Sequence, residues 1–163
     1  MQENLYTMET LLPVICDFLN EGKKVIIEAV GNSMHPMIRH KKDSIILKKY
    51  DGEELKVSDM AFYKRESGRY VLHRIVDITE DNTYVMLGDN QTTEKEKVTA
   101  DQIIAVPTTI IRGKKTIPIA SKKCRRYSKF WAKSVFFRKL SIKLFGLKIK
   151  LFRIIFGKKE AVL

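Results

Sequence analysis

The pattern of apolar and polar positions divides the chain into a helical start, a long strand-rich middle and an amphipathic, basic end. Over residues 4–21, apolar side chains recur at helical spacing, which predicts a helix that Gly22 ends. Pro13 falls inside this pattern and predicts a kink or a late start. Short β-rich runs separated by turn-forming segments then predict a series of strands. The predicted strands cover residues 25–30, 44–49, 60–64, 69–78, 83–87 and 103–112.

These strands, unbroken by long helices, predict a mainly β fold that is closed or partly closed. We expect an N-terminal helix over 1–22, a β domain over 23–120 and a basic amphipathic segment over 121–163. The charge distribution supports the last boundary. Residues 121–159 hold 14 Lys or Arg and no acid, whereas residues 1–120 carry a net charge of −1. This asymmetry indicates an anionic partner for the C-terminal segment.

Several kinds of protein are disfavoured by what the sequence lacks. Cys16 and Cys124 occur in no CxxC pair and in no cluster with metal-ligand spacing, so we expect neither a metal site nor another cofactor. The chain opens without the basic and apolar regions of a secretory signal. No stretch approaches the roughly 20 apolar residues that a spanning helix needs. We therefore expect a cytoplasmic protein.

A first candidate for chemistry is the segment GNSMHPMI at 31–38, which directly follows a predicted strand. A catalytic serine needs an exposed hydroxyl and a nearby backbone N–H for the oxyanion. Ser33, in a small and turn-prone segment, can have both. A structural Gly-Ser turn explains this segment equally well when it is taken alone.

His73 and Asp89 are the other candidates, the first on a predicted strand and the second in a Gly-Asp-Asn turn after one. A serine hydroxyl is a weak nucleophile near neutral pH, so a histidine must take its proton. An acid would orient the imidazole. Taken singly, a histidine packed in a strand and an ordinary turn are the simpler explanations.

In their order along the chain, GNSMHPMIRHKKDSIIL, DMAFYKRESGRYVLHRIV and YVMLGDNQ resemble the signal peptidase I family, most closely its Ser/His branch. The related LexA-like autoproteases and the bacterial signal peptidases have a lysine where this chain has His73. The resemblance covers roughly residues 25–112. It implies a signal-peptidase/LexA-like β-rich peptidase fold.

The resemblance also implies roles for the motif residues. Ser33 would attack the scissile carbonyl, and His73 would take and return the proton. Asp89, in the Gly-Asp-Asn turn, would be the acid. The family also has acids a few residues after this turn, where Glu94 matches one place by type, so Glu94 is the alternative acid.

The resemblance further implies an oxyanion site and a substrate. Many family members have a serine where this chain has Gly31, so the backbone N–H of Ser33, helped by Asn32, would hold the oxyanion. The substrate would be a peptide bound as an added β-strand. The apolar side chains that would line its groove, or alternatively pack in the core, are Met34, Met37 and Ile38.

The basic segment has the pattern of a helix that lies in a membrane interface, with lysines and arginines opposite an apolar face. We expect residues 121–159 to bind a membrane surface. A protein partner is the next alternative, and nucleic acid is the least favoured. The apolar positions are Phe137, Leu140, Leu144, Leu147, Leu151 and Ile154, with Phe145, Ile149, Phe152 and Phe156 on an adjacent row.

Together these features predict a serine endopeptidase, peripherally associated with the membrane, that cleaves a precursor, leader or signal peptide. The alternatives are a LexA-like self-cleaving regulator and a non-catalytic peptide-binding module. The regulator would carry a helix-turn-helix domain, for which about 20 residues before the strands are too few.

Overall fold

The computed structural model describes residues 8–156, which form an antiparallel sheet with helices at both ends. This confirms the predicted mainly β fold with terminal helices. The elements are α1 (Met8–Asn20), β1 (Val25–Glu28), β2 (Asp43–Lys49), β3 (Met60–Lys64), β4 (Tyr70–Ile78), β5 (Tyr84–Leu87), β6 (Glu96–Val98), β7 (Ile103–Arg112), β8 (Lys115–Pro118), α2 (Lys122–Lys133) and α3 (Val135–Phe156).

The sheet has the strand order β1-β2-β7-β3-β4-β5-β6, and β8 pairs with β7. The long strand β7 pairs with β2 along one edge and with β3 and then β8 along the other. Sequence analysis missed β6 and β8. They have three and four residues, too few for an alternating pattern to stand out.

The central strand β3 is buried on both faces of the sheet. Successive side chains of a strand point to opposite faces, so Met60 and Phe62 of β3 pack in one apolar cluster and Ala61 and Tyr63 in another. The first cluster also takes in residues of α1, the 31–38 segment and Cys124 of α2. The second consists mainly of residues from β3 to β7.

The N-terminal helix ends as predicted. Gly22 has a φ of 74°, and the N–H groups of Gly22 and Lys23 bond to the carbonyls of Leu19 and Phe18. This pattern closes a helix with a left-handed residue, for which glycine is favoured. Pro13 lies inside α1. Residues 4–7 of the predicted helix lie outside the described residues.

The basic C-terminal segment forms two helices and begins as part of the folded body. Ser121 caps α2 by accepting a hydrogen bond from the Cys124 N–H at 3.4 Å. Cys124 and Trp131 are buried. The boundary predicted at residue 120 therefore does not separate the core from the tail, because an amphipathic pattern alone does not reveal what its apolar face contacts.

Candidate active site

The segment that carries Ser33 is a tight turn held by its own backbone. Gly31 has a φ of 96°, in the left-handed region, so this position favours glycine over serine. Its N–H donates to Nδ1 of His40 at 2.9 Å. The N–H of His35 bonds to the Asn32 carbonyl at 3.1 Å, which places Ser33 inside the turn.

A buried carboxylate fastens the end of this turn to the sheet. Asp43 accepts hydrogen bonds from the guanidinium groups of Arg39 and Arg112, with Arg112 Nη2 at 2.7 Å. Burial alone would raise the pKa of Asp43, but the bonds from Arg112 and Arg39 outweigh it and lower the pKa to about 2. Arg112 also donates to the Met37 carbonyl at 2.7 Å. The segment that carries Ser33 is thus tied to β2 and β7.

The Gly-Asp-Asn turn lies directly against Ser33. The N–H of Asn90 donates to the Ser33 carbonyl at 2.7 Å. A Cβ on Gly88 would lie 2.7 Å from the same oxygen, so any side chain there would force the two segments apart. Gly88 follows Leu87, whose partner on β4 is Arg74. The first and third sequence motifs therefore meet beside β4.

Asp89 is fully buried and is bound by Arg74. The Nε and Nη2 atoms of Arg74 lie 2.7 and 2.8 Å from the two carboxylate oxygens, a two-bond pair in which both side chains are 0% exposed. The Tyr127 hydroxyl of α2 donates to the same carboxylate at 3.3 Å. A buried pair of this kind fixes the turn in place. Asp89 thus holds Arg74 and not the imidazole of His73.

Helices α2 and α3 complete the packing of this turn. The indole N–H of Trp131 donates to the Asp89 carbonyl at 2.9 Å. Arg138, 1% exposed, donates to the Gly88 carbonyl at 2.8 Å and to the Gln91 carbonyl at 3.3 Å. Two residues of the basic segment therefore support the backbone that contacts Ser33.

His73 is buried on β4 beside a tyrosine and a glutamate. Its Nδ1 lies 3.2 Å from the Tyr63 hydroxyl and 3.7 Å from Glu96 Oε1. The Tyr63 hydroxyl lies 3.1 Å from Glu96 Oε2, and Arg65 pairs with the same carboxylate. Burial lowers the pKa of His73 to about 4, although Glu96 opposes the shift. The imidazole is therefore neutral at pH 7.

These contacts determine which ring nitrogen carries the proton. A carboxylate paired with Arg65 only accepts hydrogen bonds, so the hydroxyl proton of Tyr63 goes to Glu96. Burial and Glu96 raise the pKa of Tyr63, which keeps that proton on the hydroxyl. His73 must then donate from Nδ1 to the Tyr63 oxygen. This leaves Nε2 with a lone pair, the form that a general base needs.

The carboxylate beside His73 is accordingly neither of the two that the sequence suggested. Asp89 pairs with Arg74, and Glu94 accepts from the Gln91 side chain. Glu96 takes this place instead, because β6 pairs with β5 and so brings Glu96 next to Tyr63. A three-residue strand gives no sequence signal for such a position.

Tyr63 was also missed, although the sequence held a signal for it. The turn over 65–68 joins β3 to β4 with Ala61 opposite His73. Tyr63 is then the diagonal neighbour on the same face, within reach of a long side chain. The hairpin register alone therefore predicts a contact between Tyr63 and His73.

Ser33 and the side chain of His73 lie on different sides of β4. Ser33 lines a groove with Leu72, whereas the side chain of His73 points to the other face and packs against Tyr63. In the described part of the chain, no hydrogen bond joins the Ser33 hydroxyl to His73. Any proton transfer between them therefore crosses the strand edge beside Gly88, where the pairing of β4 with β5 ends.

The groove beside Ser33 has a volume of about 250 Å³ and lies between β1 and the first half of β4. Met34 and Ile38 line it, and both also pack in the core. Met37 is buried elsewhere, with its sulfur 3.0 Å from Arg74 Nη2. The other lining residues include Ile27, Val30, Phe62, Tyr70 and Leu72.

The proposed oxyanion donors differ in their surroundings. Among the described residues, nothing accepts a hydrogen bond from the Ser33 N–H, which leaves this group available. Asn32 borders a different cavity, next to His35 and Arg39. The Ser33 backbone is thus the better placed of the two.

The second half of the basic segment presents an apolar row to the outside. The adjacent row, Phe145, Ile149 and Phe152, is partly buried and faces the turn that carries Ser33. The side chains of Ile154 and Phe156 lie outside the described residues. Between residues 8 and 156, no helix has the length and apolar character that crossing a membrane requires. The exposed apolar residues of α3 are Val135, Phe136, Phe137, Leu140, Leu144, Leu147 and Leu151.

No group of three His, Cys, Asp or Glu side chains with metal-ligand geometry occurs in the described part of the chain. Comparison of the chain with models of known protein families gives no match, and neither does comparison with curated proteins.

Proposed function

We propose that this chain is a serine endopeptidase of the signal-peptidase type, with Ser33 as nucleophile and His73 as general base. The observation that carries the proposal is the hydrogen-bond chain from His73 Nδ1 through Tyr63 to Glu96. It leaves Nε2 as the unprotonated ring nitrogen, the atom through which a general base accepts a proton. Glu96 replaces Asp89 as the orienting acid in this proposal.

In the proposed reaction, Nε2 of His73 takes the hydroxyl proton while the Ser33 oxygen attacks the scissile carbonyl. The Ser33 N–H stabilises the oxyanion, and the imidazolium then gives its proton to the leaving amine. The packing of Ser33 against Gly88 and Asn90 supports a fixed position for the nucleophile. Because the two side chains lie on opposite faces of β4 in the free protein, this step requires the Ser33 hydroxyl to reach Nε2 of His73 around the strand edge beside Gly88 when substrate binds.

The proposed substrate is an extended segment of a precursor, leader or signal peptide. Among the described strands, β1 pairs only with β2, and residues 70–73 of β4 pair only with β3. Both strand edges border the groove that contains Ser33. A peptide that enters as an added strand would bond to these edges and present alternate side chains to the apolar floor.

The proposed site of action is a membrane surface. The apolar row of α3 is exposed over at least four turns, and the helix carries lysines but no acid. Exposed apolar side chains next to basic ones favour the boundary of an anionic bilayer, where each basic residue contributes about 1 kcal/mol. The peptidase would then bind its substrate at the membrane surface, where the export of a peptide begins.

Covalent labelling tests the proposal at the residue that it names. A fluorophosphonate probe is expected to phosphonylate Ser33 with loss of fluoride, and the same protein is expected to cleave a fluorogenic leader peptide. Ser33→Ala should abolish both, whereas Ser67→Ala, which alters an exposed turn serine, should leave both unchanged. Cleavage by the Ser33→Ala variant, or a probe that labels only residues other than Ser33, would show that Ser33 is not the nucleophile.

Tyr63→Phe tests the hydrogen-bond chain that orients His73. Removal of the hydroxyl deletes its hydrogen bonds to His73 and to Glu96. Loss of the bond that orients His73, roughly 1 kcal/mol, is expected to lower kcat about fivefold with KM unchanged. The phenyl ring fills the same space, and the fold should persist. Tyr84→Phe removes a hydroxyl from the same apolar cluster without touching His73 and should keep full kcat. Equal kcat for the two variants would contradict this role of Tyr63.

A further inference from the structure

A cavity of about 200 Å³ lies between α3 and the turn that carries Ser33, and its polar lining is basic. Apart from the two histidines, Asn32 is the one uncharged polar side chain among the described lining residues, and none of these residues is a carboxylate. Phe145, Ile149 and Phe152 close its apolar side. The basic groups, together with the histidines, are His35, Arg39, His40, Lys42 and Lys148.

These basic groups are only partly neutralised. Arg39 pairs with Asp43, but neither Lys42 nor Lys148 has a carboxylate partner among the described residues. Nδ1 of His40 accepts the Gly31 N–H, so the proton of its neutral ring is on Nε2, as a donor.

The His35 ring adds a buried nitrogen without a partner. Its Nδ1 has no hydrogen-bond partner in the described structure, and the ring lies 4.1 Å from the Phe145 ring, centroid to centroid. Burial lowers the pKa of His35, and Lys148 and Arg39 lower it further. The two cations thus create a positive potential at the ring, which an anion would relieve.

An apolar cleft of about 380 Å³ adjoins the basic cavity. His35, Phe145 and Lys148 line both spaces, and Trp131 lines the cleft. The cleft reaches the exposed apolar row of α3. Its remaining lining is apolar apart from Ser141, and includes Phe137, Leu140 and Leu144.

We propose that this joined cavity and cleft bind one anionic phospholipid, with the phosphate among the basic groups and an acyl chain along the cleft. An inorganic anion would leave the cleft uncovered, and a neutral amphiphile would leave Lys42 and Lys148 without a counter-charge. An amphiphile with an anionic head matches both parts. The inference rests on the proposed membrane association of α3 and is independent of the peptidase chemistry.

The site can be tested without a bilayer, by titrating the full chain with monomeric short-chain phosphatidylglycerol. Trp131 is the only tryptophan of the chain and lines the cleft, so its fluorescence reports occupancy. We expect a saturable change. Lys42→Gln/Lys148→Gln should weaken binding at least about tenfold, because it removes charged hydrogen bonds to the phosphate. The matched variant Lys139→Gln/Lys143→Gln loses the same charge outside the cavity and should bind like the wild type.

Equal affinity in the two double variants would overturn the site, and so would inorganic phosphate binding as tightly as the lipid. Flotation of the wild type on phosphatidylglycerol vesicles, with phosphatidylcholine vesicles as control, tests membrane association separately. Lipid binding without flotation would leave the site standing and contradict the proposed location. Flotation without saturable lipid binding would contradict the site and leave the proposed location standing.

Discussion

His73→Ala is expected to lower kcat for leader-peptide cleavage by roughly 10⁴-fold, the upper range for loss of a general base. KM should change little, because His73 is 1% exposed and faces away from the groove. Steady-state kinetics on the fluorogenic peptide measure both constants. Ser33→Ala should cause a similar loss, and the double variant should be no worse than either single one, since the two groups act as a unit. Additive losses would contradict a shared proton transfer.

The pH profile of the wild type gives a second measurement of the same group. The proposed catalysis requires neutral His73, and burial lowers its pKa from 6.5 to about 4. The acid limb of kcat/KM, which reports the free enzyme, should therefore lie well below pH 6.5. Activity would be retained as the pH falls from 7 to 6 and lost on approach to pH 4. A limb near 6.5 would mean that the base is not the buried imidazole of His73.

Asp89→Asn is expected to lower the free energy of unfolding by about 3–5 kcal/mol, the usual cost of leaving one member of a buried ion pair without its partner. Asparagine keeps the shape of the side chain, but it removes the charge that compensates Arg74. Denaturant unfolding followed by circular dichroism measures the change.

Asp77→Asn is the matched control for this substitution. Asp77 is exposed on β4, and within the described residues its carboxylate accepts a hydrogen bond only from the N–H of Ile78, so its replacement should change stability by less than about 0.5 kcal/mol. A loss below about 1 kcal/mol for Asp89→Asn would show that the turn is held by Trp131 and Arg138 rather than by the ion pair.

Most of the sheet was predictable because its longer strands carry a strong local pattern. The strand predicted over residues 60–64 has the same bounds as β3. The predicted strands that correspond to β2, β4 and β5 each differ from the observed strand by one residue at the first position. The short strands β6 and β8 depend on pairing with β5 and β7, which a single segment cannot reveal. The packing of α2 against the sheet could not be predicted either, because a helix that packs on a protein core and a helix that lies in a membrane have the same amphipathic pattern.

The candidate site was predictable only where its residues stand in sequence motifs. Ser33 and His73 come from such motifs, but the partner of the imidazole depends on register. Glu94 and Glu96 are two residues apart in one acidic stretch. Only the pairing of Met86 with Glu96 places the second of them beside Tyr63. Asp89 pairs instead with Arg74, whose guanidinium lies on the opposite face of β4 from His73.

The attachment of the Gly-Asp-Asn turn to α2 and α3 has a practical consequence for protein production. An expression boundary drawn at residue 120, where the strands end, would retain the whole sheet and both reactive side chains. It would delete Tyr127, Trp131 and Arg138, which donate to Asp89 and to the backbone of Gly88. A trimmed variant intended for crystals should therefore extend at least through Arg138, with the cut made in the outer turns of α3.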